Sequence, residues 1–125
     1  MIKDDLKYTK EHEWLRVESG EAVVGITDFA QGELGDIVFI ELPAVGTKVS
    51  AGDSIGTIEA VKTVAELFAP VSGEIIAVND QLAENAALVN SDCYGDGWMV
   101  RIRMDNPDES GQLLSPEEYK DMTGA

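Results

Sequence analysis

The chain has 125 residues and a formal net charge of −15, because 24 acidic residues face only nine lysines and arginines. A polyanion of this size is repelled by nucleic-acid phosphates and by anionic lipid, so we expect neither nucleic-acid nor membrane-surface partners. No segment approaches the ~20 apolar residues of a membrane-spanning helix. The N-terminal residues have no apolar signal core and no Arg- and Ser-rich transit character, so we expect a cytoplasmic protein or one already processed.

The length predicts one domain, residues 1–125, large enough to bury a core. Cys93 is the only cysteine, which excludes an internal disulfide, and one Cys with one His does not make a Cys/His zinc site. We therefore expect no metal. We also expect Cys93 to be unreactive, because Asp92 and Asp96 surround it with negative charge rather than the positive charge that activates a thiol.

The first half of the chain predicts strands and one short helix. The segments Glu13–Glu18 and Ala22–Ile26 are predicted strands, and they are joined at Ser19-Gly20, which is typical of a hairpin. Thr27 is a candidate N-cap for a short helix over residues 28–31 that ends at Gly32 or Gly35. A strand over residues 36–42 follows and ends at Pro43, because proline donates no hydrogen bond to a sheet.

The second half predicts two further strands and a terminal helix. The strands are Glu74–Val78 and residues 98–104, where Trp98, Val100, Ile102 and Met104 alternate with Met99, Arg101 and Arg103. Ser115, Pro116 and Glu118 form the start of a helix, with a capping box between Ser115 and Glu118. Together these elements predict a β-rich domain with small helices at its edges.

Two twelve-residue segments match each other on either side of Lys62. Residues 45–56 superpose on residues 78–89 when shifted by 78 − 45 = 33 positions. The aligned pairs are Val45 with Val78, Val49 with Leu82, Ile55 with Leu88, Gly46 with Asn79 and Gly52 with Asn85. Because glycine and asparagine accept positive φ most readily, we expect both segments to turn at the same two places. A lysine placed between two matching β-halves indicates a side chain held out for modification.

Six stretches together resemble the glycine cleavage H-protein family over essentially the whole chain. They are Tyr8–Trp14, Gly25–Gln31, Leu34–Pro43, Glu59–Lys62, Ala69–Glu74 and Asp96–Met99. Biotin carriers typically have Met on both sides of the lysine, and lipoyl domains of 2-oxoacid dehydrogenases have Asp before it and Ala after it. Val61 and Thr63 fit neither pattern. Cys93 departs from the family, which usually has proline there.

The resemblance implies a mainly β barrel-sandwich hybrid, the fold of lipoyl and biotinyl domains, with small peripheral helices and a C-terminal helix. It implies lipoate joined by an amide to Lys62, on a tight hairpin between the two half-repeats. It further implies a carrier rather than an enzyme, since the chemistry belongs to the cofactor and the partner enzymes.

The implied partners act in turn on the lipoyl group. They are a pyridoxal-phosphate glycine decarboxylase (P protein), a tetrahydrofolate-dependent aminomethyltransferase (T protein), a dihydrolipoamide dehydrogenase (L protein), and a lipoate ligase or a lipoyl or octanoyl transferase. Glu59 is a candidate for recognition by the attaching enzyme. Glu13, Glu33 and Glu66 are candidates for sheltering the aminomethyl cargo, because a carboxylate accepts hydrogen bonds from an ammonium group.

Two other functions remain open from sequence. One is an H-like protein that serves mainly to relay lipoate to other lipoyl enzymes, and the sequence does not separate this role from glycine cleavage. The other is a small enzyme that uses Glu11, His12 and Glu13 for acid–base chemistry. The second alternative lacks a nucleophile, a metal set or a phosphate-binding loop, and a structural role for His12 is the better prediction.

Overall fold

The computed structural model describes residues 3–124 and is mainly β. The strands are β1 (Lys7–Tyr8), β2 (Glu13–Glu18), β3 (Glu21–Ile26), β4 (Ile37–Glu41), β5 (Lys48–Val49), β6 (Ser54–Ala60), β7 (Val64–Phe68), β8 (Gly73–Val78) and β9 (Val100–Met104). The α-helices are α1 (Asp28–Leu34), α2 (Gln81–Glu84), α3 (Leu88–Ser91) and α4 (Pro116–Thr123), and a 3₁₀ helix spans Pro107–Gln112.

The strands form two antiparallel sheets that share one core. The larger sheet has the order β1-β2-β3-β9-β8-β5 and the smaller one β4-β6-β7. Within residues 3–124 no ladder joins the two sheets into a closed barrel. The core between them contains Ile40, Ile58 and Leu67 from the smaller sheet and Leu15 and Ile102 from the larger one. This arrangement confirms the predicted mainly β fold with peripheral helices and a C-terminal helix.

A second apolar cluster covers the other face of the larger sheet. Trp14 and Val23 alternate with the main-core residues of β2 and β3, so their side chains point away from the first core. The C-terminal helix α4 closes this cluster with Tyr119, whose ring stacks on Tyr8 at 4.6 Å. Trp14 also lies flat over Gly25, where an added Cβ would approach the indole to 2.8 Å. The larger sheet is therefore buried on both faces near its β1–β3 end.

Local signals in the sequence correctly predict several element boundaries. Ser19 and Gly20 turn the β2–β3 hairpin with φ of 52° and 82°. Thr27 caps α1 by accepting a hydrogen bond from Ala30 N, and the helix ends at Gly35 rather than Gly32. Ser115 begins α4 with both hydrogen bonds of the capping box.

The expectation that the two half-repeats turn alike is wrong. Gly46 and Gly52 have φ of 96° and 92°, but Asn79 and Asn85 are outside the positive-φ region, with Asn85 at −143°. The second segment folds into α2 and α3 instead of repeating the strands. The reason lies in the side chain of Asn79, which donates to Asp96 O and Trp98 O and accepts from Gln81 N. Asn79 thus connects residues 96 and 98 to the first turn of α2 and does not make a left-handed turn.

The last strand begins two residues later than the sequence predicts. β9 starts at Val100, and from there Val100, Ile102 and Met104 are buried while Arg101 and Arg103 are more accessible, as predicted. Trp98 and Met99 precede the strand, and Met99 is buried in the main core rather than facing outward.

Within the described residues, no helix combines the length and apolar character that crossing a bilayer requires.

Candidate functional site

Lys62 lies at the tip of the hairpin between β6 and β7. Val61 and Lys62 form the two-residue tip, closed by a hydrogen bond from Ala60 N to Thr63 O of 2.8 Å. A second hydrogen bond, from Val61 N to Asp36 O at 3.0 Å, ties the tip to the segment between α1 and β4. Lys62 is exposed. The hairpin therefore presents an accessible lysine on a backbone that is held from two sides.

The stem of Lys62 rests on the backbone at Gly35. Gly35 has φ of 78°, and a Cβ built there would lie 3.0 Å from Lys62 Cε. A side chain at position 35 would thus strain the backbone and displace the lysine. Among residues 3–124, no carboxylate pairs with Lys62 Nζ. The amine is consequently positioned along its stem but free at its end.

Asn90 of α3 braces the segment on which the lysine hairpin rests. Its Nδ2 donates to Gly35 O at 2.8 Å and to Gln31 Oε1 at 3.0 Å, and its Oδ1 accepts from Ile37 N at 2.9 Å. Asn90 thereby satisfies backbone groups where α1 ends and β4 begins. Sequence analysis did not single out Asn90, and a lone asparagine outside any predicted turn carries no signal for such a role.

The outer face of the smaller sheet carries Glu59 beside the lysine tip. Glu59 is paired in register with Phe39 of β4 and with Val64 of β7, so the three side chains share one face. Glu59 is half-buried between its two apolar neighbours. Glu66, two residues beyond Val64, is exposed and accepts a hydrogen bond from Ser54 Oγ at 2.9 Å.

An open cavity of about 300 Å³ lies at the far end of β7 from the lysine tip. Its lining includes Thr9, Glu11, Glu13, Phe68, Pro70 and Leu113. Glu13 is only 1% exposed, and its carboxylate accepts hydrogen bonds from Thr9 Oγ1 at 2.7 Å and Phe68 N at 3.1 Å. Burial raises the pKa of the Glu13 carboxyl to about 7, although both hydrogen bonds act in the opposite direction. The cavity thus holds a carboxyl group that titrates near neutrality.

Comparison with known proteins identifies the family. The model of the glycine cleavage H-protein family matches residues 6–125. The chain belongs to this family. The glycine cleavage system H protein of Chlorobaculum parvum is 58% identical over 125 residues, covering 98% of both chains. That of Carboxydothermus hydrogenoformans is 52% identical over 120 residues, covering 96% of this chain and 92% of the relative.

A solved structure shows the same fold for a glycine cleavage H protein. The crystal structure of the H protein from Mycobacterium marinum superposes with a TM-score of 0.92 at 40% identity, covering 99% of this chain and 100% of that one. The resemblance inferred from the six motifs is confirmed, and membership places the chain in the glycine cleavage system.

The three carboxylates predicted to shelter cargo in this H-protein family member do not share one cavity. Glu13 lines the cavity, whereas neither Glu33 nor Glu66 belongs to its described lining. Glu33 is exposed on α1, and Glu66 lies on β7 between the lysine tip and Phe68 at the cavity. Thr9 and the Phe68 backbone, which hold Glu13, were not found from sequence.

His12 has a structural position in this fold. It adopts φ of 70°, its Nδ1 lies 2.8 Å from Tyr119 Oη, and its ring packs on Phe29 with centroids 4.7 Å apart. Burial lowers the pKa of the His12 imidazole, while the Glu11 and Glu33 carboxylates act in the opposite direction. His12 thereby joins the start of β2 to α4. Within residues 3–124, no group of three or more His, Cys, Asp or Glu is arranged to hold a metal ion.

We expect Glu13→Gln to stabilise this H-protein family member at pH 8 and to change little at pH 4. The carboxyl titrates near its ordinary pKa of 4.5 in the unfolded chain and near 7 in the fold. Between these values the folded chain binds a proton that the unfolded chain has lost, so the free energy of unfolding falls as pH rises. The cost amounts to about 3 kcal/mol above pH 7. Glutamine does not titrate: its Oε1 accepts from Phe68 N, and its Nε2 donates to Thr9 Oγ1, which reverses the direction of that hydrogen bond.

Urea unfolding at pH 4 and pH 8 measures this difference. The exposed Glu66→Gln variant is the control and should follow the parent at both values. A Glu13→Gln variant that is no more stable than the parent at pH 8 would show that the carboxyl ionises there without cost.

Proposed function

We propose that this chain is the lipoyl-lysine carrier of the glycine cleavage system, with lipoate joined to Lys62. The observation that carries the proposal is an exposed, unpaired amine at the tip of a hairpin whose backbone is fixed by Asp36 O and Thr63 O. Residues 1–125 act as one carrier domain in the cytoplasm and catalyse no reaction themselves. The chain supplies position, docking surface and shelter.

The residues at the tip fit an amide-linked group. No described side chain covers Lys62 Nζ, so the amine is open to the enzyme that attaches lipoate, a lipoate ligase or a lipoyl or octanoyl transferase. Amide formation removes the positive charge of Lys62 and makes the carrier still more acidic. Glu59, beside the tip on the same face as Val64, is positioned to be recognised by that enzyme.

The carrier serves three further enzymes. When bound, lipoate would supply a disulfide as the acceptor of the aminomethyl group that remains after the P protein decarboxylates glycine. Lys62 would present the aminomethyl group to the T protein, which transfers the methylene to tetrahydrofolate and releases ammonia. Lys62 would then present the dithiol that remains to the L protein, which reoxidises it with NAD. The hairpin contributes a fixed point of attachment that each enzyme meets in the same geometry.

Glu13 is the principal candidate for sheltering the cargo between enzymes. An aminomethyl group carries an amine that is protonated near neutral pH, and a buried carboxylate offers it a charge-assisted hydrogen bond. β7 leads from the lysine tip past Glu66 to Phe68 at the cavity, where Glu13 is fixed by Thr9. Glu66 and Glu33 are secondary candidates, because exposed carboxylates bind an ammonium weakly in water.

Reconstitution with purified P, T and L proteins tests the carrier function. The lipoylated chain, glycine, tetrahydrofolate and NAD should together give NADH, and omission of the chain should reduce the rate to background. The unlipoylated chain is the control and should support no turnover. A lipoylated chain that is inactive here but passes its lipoyl group to another lipoyl enzyme would overturn glycine cleavage in favour of lipoate relay.

A further inference from the structure

Large apolar side chains are exposed around Lys62. Eight such residues are exposed within the described chain, and four of them, Val38, Phe39, Val61 and Val64, adjoin the lysine tip. We call these four residues, together with Glu59, the hairpin face. Its continuity follows from the register, because Glu59 pairs with Phe39 on one side and Val64 on the other. Contiguous apolar side chains on a surface mark an interaction site far better than scattered ones do.

A β-bulge in β4 creates part of this face. Neighbouring residues of a regular strand point to opposite sides, so one of Val38 and Phe39 would be directed inward. The register of β4 on β6 instead shifts between Ile37 and Phe39, and Val38 and Phe39 are 60% and 49% exposed. The bulge therefore turns two successive apolar side chains to solvent. Bulges recur beside functional sites.

The surroundings of the hairpin face are acidic. Glu59 lies within it, and Glu41 and Glu66 occupy the next register row on the same face. Asp36 is adjacent, since its backbone oxygen accepts a hydrogen bond from Val61 N. Lys62 is the only lysine or arginine between Lys48 and Arg101.

The remaining basic residues of the sheets are on the larger sheet. There Arg16, Arg101, Lys48 and Arg103 pair with Glu18, Glu21 and Glu74. A surface complementary to the hairpin face therefore has an apolar centre with arginine or lysine at its border.

We propose that the hairpin face is the docking surface for the enzyme that attaches lipoate. The enzyme contacts this face with an apolar patch of its own that is bordered by basic side chains. The proposal rests on the carrier function proposed above. An enzyme that acylates Nζ must bring its reacting carbon within bonding distance of the amine, and the stem of Lys62 lies against Gly35. Its surface must therefore cover the neighbours of the tip. Enzymes that act at the end of the attached arm are under no such constraint.

The test measures initial rates of lipoyl transfer to the unlipoylated full chain by a purified lipoate ligase with lipoate and ATP, followed by intact mass. The variant Val38→Ser/Phe39→Ser removes the apolar pair. The control Val17→Ser/Val45→Ser removes two apolar side chains that are equally exposed, at 46% and 60%, but lie elsewhere on the surface. Thermal unfolding establishes that both variants fold, and sedimentation shows whether the parent self-associates.

We expect the KM of the ligase for the Val38→Ser/Phe39→Ser chain to rise about tenfold with kcat unchanged, as lost apolar contact predicts. The control should keep the parental KM, and added salt should raise the KM of the parent. An unchanged KM, an equal rise in the control, or a parent dimer abolished by the variant without a change in KM would overturn the docking surface. A parent without lipoate on Lys62 would instead overturn the carrier function itself.

Discussion

Lys62→Arg should abolish lipoylation completely while the protein remains folded. The guanidinium group stays protonated at all accessible pH values and so offers no nucleophilic amine for acylation. Lys62 is exposed and unpaired among the described residues, so the free energy of unfolding should change by no more than about 0.5 kcal/mol. Intact mass after incubation with ligase, lipoate and ATP gives the extent of modification, and proteolytic digestion gives its position.

Lys48→Arg is the matched control for that substitution. Lys48 is also exposed, but its Nζ lies 3.3 Å from Glu74 Oε1, on the larger sheet away from the hairpin. The Lys48→Arg chain should accept one lipoyl group at the parental rate. A lipoyl group on any lysine of the Lys62→Arg chain would show that the hairpin does not define the site.

Glu13→Gln should shorten the lifetime of the loaded aminomethyl group by tenfold or more. The Glu13 carboxyl is buried, and a charge-assisted hydrogen bond in such a setting contributes roughly 1.5–3 kcal/mol, which corresponds to about ten- to a hundredfold in rate. An ammonium beside it would favour the ionised carboxylate, which glutamine does not provide. The measurement loads the lipoylated chain with the P protein and glycine, removes the enzyme and follows spontaneous release by intact mass.

Glu66→Gln and Glu33→Gln separate the buried site from the exposed carboxylates. Both side chains are solvent-accessible, so each substitution should change the release rate by less than about threefold. The double variant Glu13→Gln/Glu66→Gln should behave like Glu13→Gln alone. Equal lifetimes for the parent and the double variant, with lipoylation intact, would end the sheltering role of these residues.

Sequence alone determined the features that depend on neighbouring residues. The Thr27 cap and the Ser115 capping box were predicted because each is made by side chains three positions from the backbone groups that they satisfy. The Ser19-Gly20 turn was predicted because glycine accepts positive φ. Lys62 was selected from the two matching segments on either side of it and from the motif Glu59–Lys62. The six motifs were also sufficient for the family, because they occur in order between residues 8 and 99.

Tertiary structure decided what the local pattern left open. Asn79 and Asn85 match Gly46 and Gly52 in sequence, yet contacts of Asn79 with residues 96 and 98 draw it into a different conformation. Hydrogen bonds of an asparagine side chain influence the backbone conformation that the residue adopts, whereas glycine has no side chain to form such bonds. Among the three aligned apolar pairs, only Val49 and Leu82 are both buried, whereas Val45 is 60% exposed.

The site itself was assembled by contacts between distant parts of the chain. Asn90 braces Gly35 from 55 residues away, and Phe68 N donates to Glu13 across the same separation. The raised pKa of Glu13 follows from its burial beneath those segments. The polar residues around Glu13 in the sequence do not indicate that burial. Local chemistry thus determined which lysine is presented, while long-range packing decided what supports it and which carboxylate is buried.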